Sequence, residues 1–302
     1  MSQIQNLDQL FDVLKEIEGK KRLVAVFAND AHSIEAINQA VDMGLVEATL
    51  VGNKTIIQEV CLELGIEPGK FRIVNEPDEV KAGFKSMDLI HQDEGDLLMK
   101  GMISTDKYMR AILSKENGLL SPGAILSHVT VLKPENYHKL LIVGDVAIIP
   151  APELKEKIAI ANYLIRMAIA LGVEKPKLAV LAATELVLPK MQACVDAAIL
   201  SKMGERGQIS GAIIDGPLAL DVIIDKESAE LKKLDSPVAA DADCILFPNI
   251  EAGNVFYKYY TKLTGGELGA IVAGAKVPAI LSSRGDSPKT KLYSIALAAL
   301  FA

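Results

Sequence analysis

Apolar and polar positions along this chain alternate between two rhythms. Short runs of consecutive apolar, largely β-branched residues predict strands at 23–28, 48–52, 71–74, 96–100, 124–131, 140–149, 178–183, 209–214, 244–248 and 270–282. Between most of them, apolar residues recur three and four apart, which predicts helices over 34–43, 55–64, 78–92, 105–115, 153–171, 189–204 and 218–234. Unbroken apolar strands separated by amphipathic helices predict an α/β fold whose mostly parallel sheets are covered on both faces. The tail SIALAALFA is too short to span a membrane, which takes roughly 20 apolar residues, and is expected to pack as the last helix.

A chain of 302 residues exceeds what one core usually serves, so two domains are expected. The first seam is placed at Pro150-Ala151-Pro152, because two prolines bar a regular strand ladder there. A long helix should start at Glu153, with Glu153 and Glu156 where the helix dipole favours acids. The segment 271–302 could close the second domain or return to the first; pattern leaves both open.

Composition narrows the partners. A formal net charge of -7 disfavours nucleic acid and anionic membrane, which reward basic surfaces, so neither is expected as a partner. The N-terminal stretch is acidic and amphipathic and lacks a secretory apolar run. Cys61, Cys194 and Cys244 are far apart and lack metal-ligand spacing; they read as small core residues of a protein in the reducing cytoplasm. The scattered histidines His32, His91, His128 and His138 suggest no metal site, and none is expected. The pairs Asp93/Asp96 and Asp241/Asp243 read as solvated turn residues. No G-x-G-x-x-G follows a strand, and no phosphate-binding G-x-x-x-x-G-K-[ST], H-E-x-x-H or G-x-S-x-G is present.

Arginine is the side chain best shaped to grip phosphate, and the chain has six. Arg22 and Arg72 fall at strand entrances, and Arg166 and Arg206 on helix surfaces. Arg110 and Arg284 instead belong to strand–turn–helix units. In DLLMKGMISTDKYMRAIL, the strand ends near Lys100-Gly101 and Ser104 or Thr105 can cap the next helix. That helix start offers free N–H groups to an anion, and Arg110 leans back toward it. In VPAILSSRGDSPKTKLYSIALA, a strand runs into Ser282-Ser283-Arg284-Gly285, then an N-cap Ser287 followed by Pro288. A third unit, LFPNIEAGNVFYKYYTKL, places Gly253-Asn254 and then Tyr257-Lys258 after a buried strand.

Together with IIDGPLALDVII and GDVAIIPAPELKEKIAIA, these units resemble the phosphate acetyl/butyryl transferase family, over about residue 96 to the end. The likeness favours its butyryl-type branch. It implies two α/β/α domains, isocitrate/isopropylmalate dehydrogenase-like, with the active site in the interdomain cleft. It also implies that the C-terminal segment returns to the first domain, giving 1–151 plus 271–302 and 152–270. The implied reaction moves a short acyl group, butyryl or branched-chain, between coenzyme A and inorganic phosphate. Coenzyme A would be a substrate, with no permanently bound cofactor. Family members are commonly homodimers, so a homodimer or higher homo-oligomer is expected.

By the same resemblance, Ser283 and Arg284 match the catalytic serine and arginine, and Arg110, beside Ser104 and Thr105, the other phosphate-binding arginine. Lys100, Gly101, Ser127, Gly253, Asn254, Lys258 and Thr290 would line the substrate cleft. One departure concerns the base. Acetyl-type members carry an aspartate where this chain has Thr290, and a hydroxyl is no base near neutral pH; Asp286 is the nearest substitute, with Lys289 and Lys291 able to stabilise a thiolate. Two rival readings are a two-domain NAD(P)-dependent dehydrogenase and a catalytically weakened coenzyme A-binding homologue.

Overall fold

The computed structural model describes residues 2–281 and 286–302, which divide into two compact units. A discontinuous unit joins Leu7–Ile125 to Gly269–Ala302, and a central unit takes Leu126–Leu268 with the N-terminal residues up to Asn6. The C-terminal segment thus returns to the unit in which the chain begins its alternation. The first crossing lies before the Pro150–Pro152 seam. The reason is pairing: strand 127–132 lies antiparallel to strand 141–144, which pairs with Cys244–Leu246, so both belong to the central unit.

The discontinuous unit opens with α1 (Gln9–Glu16), β1 (Lys21–Val26), α2 (Ala31–Asp42), β2 (Val46–Gly52), α3 (Lys54–Glu63), β3 (Arg72–Asn75), α4 (Glu79–His91), β4 (Leu97–Lys100) and α5 (Thr105–Ile112). The central unit contributes β5 (Ser127–Leu132), β6 (Leu141–Gly144), α6 (Leu154–Ala170), β7 (Lys177–Leu181), α7 (Gln192–Glu205), β8 (Ile213–Leu218), α8 (Leu220–Ile224), α9 (Lys226–Leu231), β9 (Cys244–Leu246) and α10 (Ile250–Leu263). The chain then adds β10 (Leu268–Ala273), β11 (Ala279–Ile280) and α11 (Pro288–Phe301) to the discontinuous unit.

Strand order in the discontinuous unit is β3-β2-β1-β4-β11-β10, all parallel except β10 against β11. In the central unit it is β5-β6-β9-β7-β8, parallel except β5 against β6. The expected parallel, two-sided burial is clearest in β1, where Leu23, Val24, Ala25 and Val26 are wholly buried. Helices start where short polar side chains can cap them: Asp30, Asn53, Asp78, Ser104, Asn249 and Ser287 each accept from a backbone N–H of the first turn. At α6, Glu153 N donates to the Glu156 carboxylate at 2.7 Å. The apolar tail is helix α11, almost entirely buried.

Four segments differ from the pattern reading. The run 270–282 is two strands, because Gly274 turns the chain at φ 105° and brings Ala279 back against Val272. The run 218–234 is two helices, since Asp225 is extended and caps the second through Ser228. Strand 209–214 is shifted to Ile213–Leu218, after a turn at Gly211. Strand 140–149 stops at Gly144, where Asp145 draws Ala147 N and Ile148 N onto its own carboxylate.

The Asp241/Asp243 pair is also not a solvated turn. Asp243 is buried at 3% exposure and accepts from Lys177 N, while Lys139 pairs with both carboxylates and Lys177 and His138 with Asp241. The strand entrances of β6, β7 and β9 converge there, and their flanking lysines neutralise the acids. Burial pushes the Asp241 carboxyl up, but hydrogen bonds from Lys139, Lys177 and His138 outweigh it and hold it well below the usual carboxylate range. Asp96, likewise, is tied to Arg22 through two side-chain hydrogen bonds, whereas Asp93 remains exposed. Cys61, Cys194 and Cys244 are buried free thiols, as expected of core residues.

Candidate functional site

In open α/β sheets ligands gather at the carboxyl ends of the strands. In the discontinuous unit, β4 and β11 are parallel neighbours, with Leu98 opposite Ala279 and Met99 opposite Ile280. The two strand–turn–helix units singled out in the sequence therefore leave the sheet side by side. Tyr108 of α5, fully buried, donates from its hydroxyl to Ile280 O at 3.3 Å and ties one unit to the other.

The first turn is fixed by backbone. Gly101 N donates to Val26 O and Met102 N to Phe27 O, pulling the end of β4 onto the end of β1. A Cβ at Gly101 would stand 2.7 Å from Phe27 O and 2.8 Å from Val26 O, so only glycine fits. Lys100 Nζ reaches Gly101 O at 3.3 Å. Ser104 caps α5 through Lys107 N, and Thr105 is its first residue, as the sequence predicts. Arg110 pairs with Asp106 at 2.9 Å, so its guanidinium leans toward the first turn. Both side chains are about three-quarters exposed, and such a surface pair is weak and readily exchanged for another anion.

Glu79, a residue that pattern reading did not single out, sits at this helix start. Its carboxylate accepts from Ser104 N at 2.7 Å and pairs with Lys107. Those hydrogen bonds, that of Lys107 foremost, hold its carboxyl below the usual range.

Ser283 and Arg284, in the second of the two sequence units, lie outside the described residues. Asp286 is half-buried. Ser287 Oγ accepts from Thr290 N at 3.0 Å and lies 3.0 Å from Thr290 Oγ1, so the threonine at the departing position is part of the cap of α11. Lys291 is buried at 6% exposure; Lys289 lies 3.6 Å from Asp8 and 5.4 Å above the Tyr293 ring. Helix α11 packs against α2, whose cap Asp30 keeps one buried carboxylate oxygen without a partner.

In the central unit, Ser127, Gly253, Asn254 and Lys258 gather around the carboxyl ends of β6 and β9, which pair Gly144 with Leu246. A Cβ at Gly253 would lie 2.3 Å from Asp145 O; glycine lets α10 rest directly on that backbone. Asn254 Nδ2 then donates to Val146 O at 3.0 Å. The Gly-Asn pair thus clamps the 145–148 turn against the helix. Lys258 is exposed, with Nζ 5.3 Å from the Tyr257 ring centre, and the Tyr257 ring meets the buried His128 edge-on at 6.2 Å. Asp145, at 2% exposure, anchors this group; its only sequence signal was an acid inside the apolar run 140–149. The D-G-P-L stretch forms β8, where a Cβ at Gly216 would meet Val180 O at 2.7 Å.

Polar turns and capped helix starts at the carboxyl ends of parallel strands define the chain as an α/β protein. Residues 78–299 match the family described as phosphate acetyl/butaryl transferase, and the chain belongs to that family. It is 44% identical over 299 residues to the phosphate butyryltransferase of Clostridium acetobutylicum, covering 99% of each chain. It is 40% identical to the phosphate acetyltransferase of Thermotoga maritima, covering 94% of this chain and 96% of the relative. Among solved structures, it superposes on a branched-chain phosphotransacylase from Enterococcus faecalis V583 with a TM-score of 0.80 and 26% identity, covering 93% of this chain and 98% of that one.

Proposed function

We propose that this protein is an acyltransferase that moves a butyryl or branched-chain acyl group reversibly between coenzyme A and inorganic phosphate. The observation that carries the reading is the adjacency of β4 and β11, the strands that precede the Arg110 helix and, in sequence, Ser283-Arg284. The family membership and the full-length likeness to a phosphate butyryltransferase support the same reaction.

In the acyl phosphate-forming direction, a phosphate oxygen attacks the thioester carbonyl carbon. The C–O bond forms, the carbonyl electrons move to oxygen, and on their return the C–S bond breaks and coenzyme A leaves as a thiolate that takes a proton. Arg110, with Ser104 and Thr105, holds the phosphate; Arg284 holds the phosphoryl group as it becomes acyl phosphate, and Ser283 donates to the developing oxyanion. Asp286 is the carboxylate assigned to proton transfer, since Thr290 cannot accept the thiol proton and already serves the helix cap. Lys100, Gly101 and Thr290 in the discontinuous unit, and Ser127, Gly253, Asn254 and Lys258 in the central unit, are the residues assigned to substrate contact by their match to the family motifs. Fixing both substrates removes an entropic barrier of up to about 7–11 kcal/mol. Coenzyme A is a substrate, no cofactor is held permanently, and the enzyme works in the cytoplasm as a homodimer or higher homo-oligomer. Among the described residues no helix is long and apolar enough to cross a membrane.

The test is a thiol-release assay with phosphate and acetyl-, butyryl- or isobutyryl-coenzyme A. Release should require phosphate and be fastest with butyryl or isobutyryl substrate. Preference for acetyl would overturn the chain-length assignment, and no release with any of the three would overturn the activity.

A further inference from the structure

At the entrance end of its parallel strands, opposite the carboxyl ends of β4 and β11, the discontinuous unit holds a cavity of about 430 Å³, a size that suits a small ligand. It lies where β1, β2 and β3 begin. Strand β2 pairs with β1 from Val46 onward, but with β3 only from Thr49, opposite Arg72. Val46, Glu47 and Ala48 therefore have one main-chain edge without a neighbouring strand, and all three line the cavity. Such an edge offers main-chain donors and acceptors to whatever fills the space. Thr49 adds a hydroxyl. The residue lines the cavity, is 8% exposed, and makes no side-chain hydrogen bond among the described residues, so its polar atom is left for a ligand.

Six charged side chains line the same cavity, and their pairings decide what charge it presents. Arg22 is committed to Asp96, through Nε at 3.0 Å and Nη2 at 2.8 Å, and to the Asp93 carbonyl. Lys70 is paired with Asp42 at 2.8 Å, and Arg72 with Glu94. What remains is one cation, Lys20, and one carboxylate, Glu47; neither forms a hydrogen bond or ion pair among the described residues. A site for phosphate or a nucleotide would carry surplus positive charge, whereas here three of the four cations already have acids of their own. Val41, Val46 and Ala48 supply an aliphatic part of the wall.

We propose that this cavity binds an α-amino acid with a short aliphatic side chain, as its zwitterion. The ligand's carboxylate pairs with Lys20 and its ammonium with Glu47. The Thr49 hydroxyl and the open edge of β2 complete its hydrogen bonds, and its side chain packs on the aliphatic wall. A ligand with both charges satisfies both unpaired groups, whereas a simple anion would leave Glu47 facing a like charge. The assignment does not depend on the acyl-transfer reading and gives the molecule a second ligand.

The experiment is calorimetric titration of the full chain with L-valine, with isovalerate, which lacks the ammonium, with isobutylamine, which lacks the carboxylate, and with inorganic phosphate. Valine should bind with a Kd of about 1 mM or tighter, and each single-charge analogue at least about tenfold more weakly. Lys20→Met and Glu47→Gln alter exposed side chains; each should keep the wild-type melting temperature and weaken valine binding at least about tenfold. Thr49→Val, nearly isosteric, should weaken it about threefold or more. No binding of valine at about 10 mM overturns the proposal. Isovalerate or isobutylamine binding as tightly as valine, or phosphate displacing valine, overturns the zwitterion assignment. Unchanged valine affinity in both Lys20→Met and Glu47→Gln overturns the location. Thiol release is measured separately, so failure of this proposal and failure of the acyl-transfer reading remain distinct results.

Discussion

Arg110, the sixth residue of the eight-residue helix α5, sits in ordinary surface chemistry: exposed, paired with an acid one turn earlier, and on a helix with a capped start. Nothing in that local geometry demands the residue for folding, because an exposed i,i+4 pair contributes little. The proposed reaction gives it a task, holding phosphate. Arg110→Ala should therefore leave the melting temperature unchanged and raise the phosphate KM about tenfold or more, measured by initial rates at varied phosphate. If only the acyl-coenzyme A constant moves, the residue holds the other substrate.

At the scale of elements, the helices are joined by a few buried polar contacts rather than by apolar stripes alone. Lys157 of α6 and Asp196 of α7 form an ion pair at 2.6 Å, with side chains only 4% and 6% exposed. Gln192 Nε2 donates to the other oxygen of Asp196 at 2.8 Å. Removing one member of such a pair strands the other charge out of water. Asp196→Ala is expected to destabilise the protein by about 3–5 kcal/mol, measured by denaturant unfolding, whereas replacing both residues by apolar ones of similar volume should be much milder. Close backbone approaches do comparable work elsewhere: the glycines at 101, 216 and 253 stand where a Cβ would meet a carbonyl oxygen at 2.7 Å or less.

The whole molecule carries a consistent electrostatic signature. Asp96 is held low by hydrogen bonds from Arg22, Glu79 by those from Lys107 and Ser104, and Asp241 by its lysines and His138 despite burial. A carboxylate whose pKa is depressed on folding contributes stability above its unfolded value of about 4 and loses it as the pH falls through the folded value. The melting temperature should accordingly drop steeply below about pH 4. Asp241→Asn should be less stable than wild type at pH 7 but show a shallower fall in acid, measured by thermal unfolding from pH 7 to pH 3. An unchanged acid profile would show that the Asp241 cluster does not carry this dependence.

The alternation of apolar runs and amphipathic periods determined the fold class and the order of most elements, and the motifs marked the caps of α5 and α11, because those depend on local periodicity and on short side chains reaching their own backbone. The motifs likewise marked Arg110, Ser104, Gly253 and Asn254 as residues apart. Pattern could not locate the crossing between units, the split of 270–282 into two strands, or the burial of Asp241 and Asp243, since each depends on which distant strand or charge becomes a neighbour. Tertiary structure alone decided that β4 and β11 lie side by side, that Glu79 reaches Ser104, that one carboxylate at Asp145 gathers two turns, and that Ser127 is buried without a partner. Those are statements about atoms far apart in sequence, and only folding brings such atoms within hydrogen-bonding reach or leaves one of them unmatched.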